Sequence, residues 1–156
     1  HVDSSAASDV YKRQSEAIAK NLSVLSNLKT KIIVIITGEG GSGGALAIGV
    51  GDHICMLEYS IYAVASPEAC ASIVWRDKSK ANEAAKAMKV DADSLIKFGL
   101  IDEIITEPLG GAHRDLGGAC NLISNSIEKN LIHLNNQDIE EILKKRYEKI
   151  MSYGLV

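Results

Sequence analysis

The apolar positions of this chain change their period several times, and each change predicts an element. From Ser15 to Leu28, Ile18, Leu22, Leu25 and Leu28 recur at helical spacing. The polar residues Lys29 to Lys31 break that pattern. Ile32 to Ile36 is then an unbroken β-branched run, the pattern of a strand buried on both faces of a parallel sheet. Thr37 to Gly44 is a glycine-rich turn, followed by a short predicted helix over Ala45 to Val50. Ile54 to Leu57 and Ile61 to Ala65 predict two more strands. Ser66-Pro67-Glu68 combines a capping hydroxyl, a first-turn proline and an acid near the positive end of the helix dipole, so a helix is expected to about Trp75. Lys80 to Met88 is Ala-rich and helical, and Asp91 caps a short helix stopped at Gly99. Ile101 to Thr106 predicts a last strand, ended by Pro108. Leu116 to Leu134 and Asp138 to Met151 carry apolar residues at three- and four-residue steps. In the second of these, acids precede Lys144, Lys145 and Arg146, a basic cluster that reads as a solvated helix face. Strands alternating with helices place the chain in the α/β class with a mostly parallel sheet.

The opening differs from the rest. Asp3 to Ser8 is Ser/Ala-rich with no period and no apolar face, so residues 1 to 13 are expected to be disordered or foreign to the natural protein. Organised sequence, 14 to 156, is expected to form part of one domain. A composition 46% hydrophobic and 24% charged is that of a soluble globular protein. The net charge of −3 leaves no broad basic field, which argues against nucleic acid or anionic lipid as a partner. The longest apolar run is far too short to span a bilayer. Cys55, Cys70 and Cys120 show no CxxC spacing, so reduced thiols in a cytoplasmic protein are expected, with no metal in this chain.

The candidate chemistry lies in Gly38-Glu39-Gly40-Gly41-Ser42-Gly43-Gly44-Ala45-Leu46. Glycines after a strand let the backbone approach a ligand and turn sharply, and free amides at the start of a helix attract negative charge. Four readings compete. Gly38, Gly40 and Gly43 satisfy GxGxxG with Glu58 further on, but the segment before the next strand is short for a crossover helix. A P-loop is excluded, because no Gly-Lys-Ser/Thr follows. Gly40, Ser42 and Gly44 fit GxSxG with Ser42 as nucleophile, although nothing in the sequence sets His53, His113 or His133 against it. The fourth reading is an oxyanion hole made by the amides of Gly43 and Gly44, which needs no side-chain nucleophile.

The run Ile36-Thr37-Gly38-Glu39-Gly40-Gly41-Ser42-Gly43-Gly44-Ala45-Leu46-Ala47-Ile48-Gly49-Val50-Gly51-Asp52 resembles the alpha subunits of the bacterial acetyl-coenzyme A carboxylase carboxyltransferase. Gln14 to Ala19, Ser66-Pro67-Glu68, Glu107 to Arg114, and Arg146-Tyr147 with Met151 to Gly154 are similar to that family as well. The resemblance implies a crotonase-like fold of repeated β-β-α units with C-terminal helices. It also implies that the N-terminal half of the family fold is missing and that this chain alone is inactive. The implied reaction moves a carboxyl group from carboxybiotin on a carrier protein to acetyl-coenzyme A, giving malonyl-coenzyme A for fatty acid synthesis. The implied partners are a zinc-ribbon beta subunit, in an assembly of two alpha and two beta chains, and the biotin carboxyl carrier protein. By motif, Gly43 and Gly44 supply amides to a biotin enolate, and Gly40, Gly41 and Ser42 line the substrate.

Four other features have weaker claims. His113 and Arg114 sit on a glycine-rich loop after the last strand, where a substrate phosphate or a partner could be met. Glu68 reads equally well as a dipole-compensating acid. Tyr59 and Tyr62 read as packing, and Trp75 as a core or interface anchor. The competing functions are a serine hydrolase using Ser42 and a non-catalytic assembly module.

Overall fold

The computed structural model describes residues 4–154. Helix α1 (Ser4–Asn27) leads into β1 (Ile33–Ile36), β2 (Glu39–Gly41) and α2 (Ser42–Ile48). Then come β3 (His53–Leu57), β4 (Ile61–Ala63) and α3 (Pro67–Trp75), followed by a 3₁₀ turn at Lys78–Lys80 and α4 (Ala81–Met88). Helix α5 (Ala92–Lys97), β5 (Glu103–Ile105), α6 (Leu116–Asn135) and α7 (Ile139–Ser152) complete the described chain.

The strands expose the repeat. The segments β1-β2-α2 and β3-β4-α3 are two successive strand-strand-helix units, and they stack like on like. β1 pairs in parallel with β3, from Ile33 opposite His53 to Ile36 opposite Met56, and β2 pairs in parallel with β4. β5 adds to the other side of β3, giving a three-stranded sheet of order β1-β3-β5. Both faces of that sheet are covered, as the β-branched run requires. Ile36, Ile54 and Met56 pack with Ala92, Leu95 and Ile101 on one face, and Tyr62 joins them. Cys55, Leu57 and Ile105 face the opposite way, against Leu122 and Ile123 of α6.

Cap chemistry sets several boundaries. Ser66 accepts a hydrogen bond from the Ala69 amide, Asp91 from Ser94 and Asp138 from Glu140, each satisfying an amide that has no partner a turn back. Three boundaries depart from the sequence reading by three residues or more. Helix α1 reaches back to Ser4, across most of the stretch expected to lack structure. No Gly or Pro interrupts Ser4–Asn27, so nothing stops the helix from propagating backwards. (Residues 1–3 lie outside the described residues.) Glu39–Gly41, expected as turn, is a strand, because its backbone pairs with β4. Helix α2 therefore begins at Ser42 instead of Ala45.

Arg146 corrects a fourth expectation. It leaves the solvated face of α7 to its neighbours Lys144 and Lys145 and is only 1% exposed. Its Nε donates to Asp52 at 2.7 Å, and one terminal nitrogen donates to the other Asp52 oxygen and to the Thr30 carbonyl. The second terminal nitrogen donates to the carbonyls of Leu25 and Leu28. Each N–H of the guanidinium has an acceptor. Asp52 in turn accepts from the Ile32 amide at 2.7 Å, so α7, the end of α1 and the entries to β1 and β3 meet at one charge pair.

Candidate functional site

The glycine loop crosses from the small sheet into α2. Gly41 is extended (φ −136°, ψ 145°), and Ser42 then takes a left-handed conformation at φ 55° to start the helix. A non-glycine residue there costs on the order of 1–2 kcal/mol. Strain of this size fits a strand-turn-helix junction that must present its backbone outwards.

The two sides of the loop differ. Beneath it, the Tyr62 ring packs so closely on Gly40 that an added Cβ would lie 2.7 Å from the ring. The same tyrosine donates its hydroxyl hydrogen to the Ala45 carbonyl at 3.2 Å, and burial pushes its phenol above the ordinary range. Tyr62, read from the sequence as packing, is thus the support on which the loop rests. On the other side, a Cβ added at Gly38, Gly41 or Gly44 would meet nothing within 4 Å. At Gly43 it would make ordinary contact with Ile18 of α1, 3.4 Å away. The amides of Gly43 and Gly44 lie in the first turn of α2, where no carbonyl a turn back is available to them.

Two cavities border this open side. One, of about 450 Å³, is lined by Glu39, Gly40, Gly41 and Ala63, and by Ser66 and Pro67 from the start of α3. The second, of about 330 Å³, is lined by Ser42, Gly43, Leu46, Tyr62 and Leu95 among others. The walls are mainly apolar, with the loop backbone and the side chains of Glu39, Ser42 and Ser66 as the polar groups around them. Ser66 and Pro67, read in the sequence as a helix start and as part of the family resemblance, thereby join the candidate site.

The predicted residues divide. Gly40, Gly41, Ser42 and Gly43 share the rim of these cavities. Gly44, His113 and Arg114 border neither, the last two lying on the turn after β5. That turn is held by Glu107, which accepts from the amides of Ala112 at 2.6 Å and Tyr59 at 3.1 Å. The strained junction at Ser42 resembles a nucleophile elbow. However, no histidine lines the cavity beside it, and His53 is engaged elsewhere with Glu103 at 3.3 Å. The chemistry on offer is stabilisation of a negative oxygen by neutral donors.

The family described as acetyl co-enzyme A carboxylase carboxyltransferase-like matches residues 6–154, starting ahead of Gln14. The acetyl-coenzyme A carboxylase carboxyl transferase subunit alpha of Pseudomonas fluorescens (strain SBW25) is 56% identical over 144 residues, covering 92% of this chain and 46% of the relative. The chain therefore spans about half the length of the curated relatives it matches. Among solved structures, a Pseudomonas malonate decarboxylase hetero-tetramer in complex with malonate aligns with a TM-score of 0.63 at 19% identity, over 85% of this chain and 51% of that one. An enoyl-CoA hydratase from Mycobacterium avium subsp. paratuberculosis K-10 aligns at 0.51 and 12% identity, over 85% and 54%. These likenesses show the fold, which is crotonase-like and partial.

Proposed function

The chain belongs to the acetyl co-enzyme A carboxylase carboxyltransferase family, and on that premise we propose that it is part of an alpha subunit that carboxylates acetyl-coenzyme A to malonyl-coenzyme A. The observation that carries this reading is the loop itself, where the first-turn amides of α2 have no carbonyl a turn back and a Cβ at Gly38, Gly41 or Gly44 would meet nothing within 4 Å. Carboxybiotin on a carrier protein supplies the carboxyl group when bound. The amides of Gly43 and Gly44 hold the negatively charged oxygen that develops during transfer, and neutral donors fixed in place need not reorganise to do so. Gly40, Gly41 and Ser42 form the wall beside it, and the missing Cβ atoms at Gly41 and Gly44 leave room for close approach. The apolar cavity walls lower the local dielectric and so strengthen those hydrogen bonds.

His113 and Arg114, away from both cavities, offer cationic and hydrogen-bonding groups to a phosphate of the coenzyme or to a partner subunit. A beta subunit bearing a zinc ribbon and a biotin carboxyl carrier protein complete the proposed machinery, two alpha chains with two beta. Ile73 and Val74 of α3 are 76% and 60% exposed, apolar surface that the rest of a longer chain or a partner would cover. Three free cysteines suit a reducing cytoplasm.

The test uses the full-length subunit assembled with its partner. Gly43→Val keeps the amide but crowds the approach to it, and is expected to lower malonyl-coenzyme A formation by about 10²–10³, as much as removing one oxyanion donor, with assembly unchanged on size exclusion. Ser42→Ala is expected to keep most of the activity. Ester hydrolysis by the wild type that vanishes in Ser42→Ala would favour the hydrolase instead.

A further inference from the structure

The face of the sheet turned away from Tyr62 is apolar except at one place. His53 and Cys55 stand two residues apart on β3 and so share a face, and Cys55 pairs in register with Glu103 of β5. Among the described residues, these three form a group of metal-ligating side chains whose donor atoms all lie within 4.8 Å of one another. The closest approach is His53 Nε2 to Glu103 Oε2, at 3.3 Å. Ligands on one tetrahedral zinc ion lie roughly 3–4 Å apart, given bonds of about 2.0–2.3 Å. Side-chain adjustments on the order of 1 Å therefore suffice to close the set.

The surroundings already support a positive charge. Lys129 of α6 places its ammonium 3.2 Å from Glu103 Oε2, and its side chain is 70% exposed, so it can give way to an ion by swinging into solvent. Ser126 donates to the other carboxylate oxygen at 3.0 Å, which fixes the carboxylate, and an ion at Oε2 would take the place of the His53 and Lys129 contacts there. Asn130 donates to Oε2 at 2.9 Å and reaches the Cys55 sulfur at 3.9 Å, the kind of outer contact that orients ligands. The His53 side chain is 21% exposed and borders a cavity of about 280 Å³, which provides an entry path.

We propose that His53, Cys55 and Glu103 bind a divalent transition metal of the zinc type, with water in the fourth position. A thiolate and an imidazole select such an ion over magnesium or calcium, which prefer oxygen ligands. On binding, Cys55 loses its thiol proton to solvent and forms the metal–sulfur bond. His53 binds as neutral imidazole through Nε2, with its proton on Nδ1, so one proton is released in all. The bound ion ties β3 to β5 beneath α6, on the sheet face opposite the glycine loop's support. Its role is structural and independent of carboxyl transfer.

Cobalt(II) is the probe, titrated into the tag-free reduced chain. The expected result is one cobalt per chain with a thiolate-to-metal charge-transfer band and the visible bands of a four-coordinate ion, both displaced by zinc. The charge-transfer band should vanish in Cys55→Ser and persist in Cys70→Ser/Cys120→Ser. Glu103→Gln and His53→Gln should each weaken binding at least as much as the ~10–100-fold typical of an outer-sphere change. These two variants carry the test if Cys55→Ser fails to fold. Absence of a thiolate band in the wild type, or a band insensitive to Glu103→Gln and His53→Gln, overturns the site.

Discussion

Gly38 and Asp52 bound one continuous stretch of chain, and its two ends treat polar atoms in opposite ways. At the entry, the glycine loop has few side chains, and the first-turn amides of α2 have no carbonyl a turn back to bond. At the exit, Asp52 is buried with Arg146, and the guanidinium gives every N–H to an oxygen. Unsatisfied donors are useful only where something will come to satisfy them. Satisfied ones fix the structure that keeps those donors in place. The contrast separates what the molecule presents from what holds it together, and it can be broken from either end.

The largest effect is expected at the exit. Arg146→Met leaves Asp52 charged and buried without its partner, and strips three backbone carbonyls of their donor. Breaking a buried pair in this way costs about 3–5 kcal/mol. Urea denaturation should show that loss, and the double variant Arg146→Met/Asp52→Asn should cost less than the two single changes summed. A loss below about 1 kcal/mol would mean that the pair is replaceable by water, and the contrast between the two ends would collapse.

The two ends also differ in how much of each is legible in the sequence. Local signals are legible because their physics is local. The β-branched run forms β1, and the caps at Ser66, Asp91 and Asp138 make the hydrogen bonds their residue types suggest. The glycine loop is legible as a site because five glycines between Gly38 and Gly44 are more than a tight turn needs. Long-range pairings are not legible. Arg146 sits in a basic run on an amphipathic helix, and only the fold reveals that α7 turns it inwards onto Asp52, far away in sequence. β2 escapes notice because Glu39-Gly40-Gly41 has no strand propensity of its own, and pairing with β4 creates it. The His53, Cys55 and Glu103 group is hidden for the same reason, since strand register alone brings Cys55 opposite Glu103.

Within the loop, a change of intermediate size should come from its supported side. A methyl at Gly40 would lie 2.7 Å from the Tyr62 ring. That ring cannot easily swing aside, because its hydroxyl is held by the Ala45 carbonyl and it also packs against Gly49. Gly40→Ala is therefore expected to cost about 1–3 kcal/mol, the usual penalty for overpacking. Thermal unfolding checks the value. Pairing the change with Tyr62→Leu should cost less than the sum of the two single variants, because the atoms that clash are gone. Additive losses would show that the strain lies in the backbone and not in the tyrosine.

The smallest effect on stability, and the one that best sharpens the comparison, is expected four residues later. Gly44→Ala adds a methyl group that meets nothing within 4 Å, at a helical position where alanine is favoured over glycine by up to about 1 kcal/mol. Unfolding should be unchanged or slightly harder. Carboxyl transfer in the assembled full-length enzyme should nevertheless fall, by up to roughly the 10²-fold that loss of one oxyanion donor costs, because the methyl enters the open space that a substrate held by the loop would use. A variant that is no less stable and yet inactive can only have lost something on the ligand side. Full activity in Gly44→Ala would instead mean that the substrate approaches the loop from another direction, and the Gly44 amide would leave the proposed site.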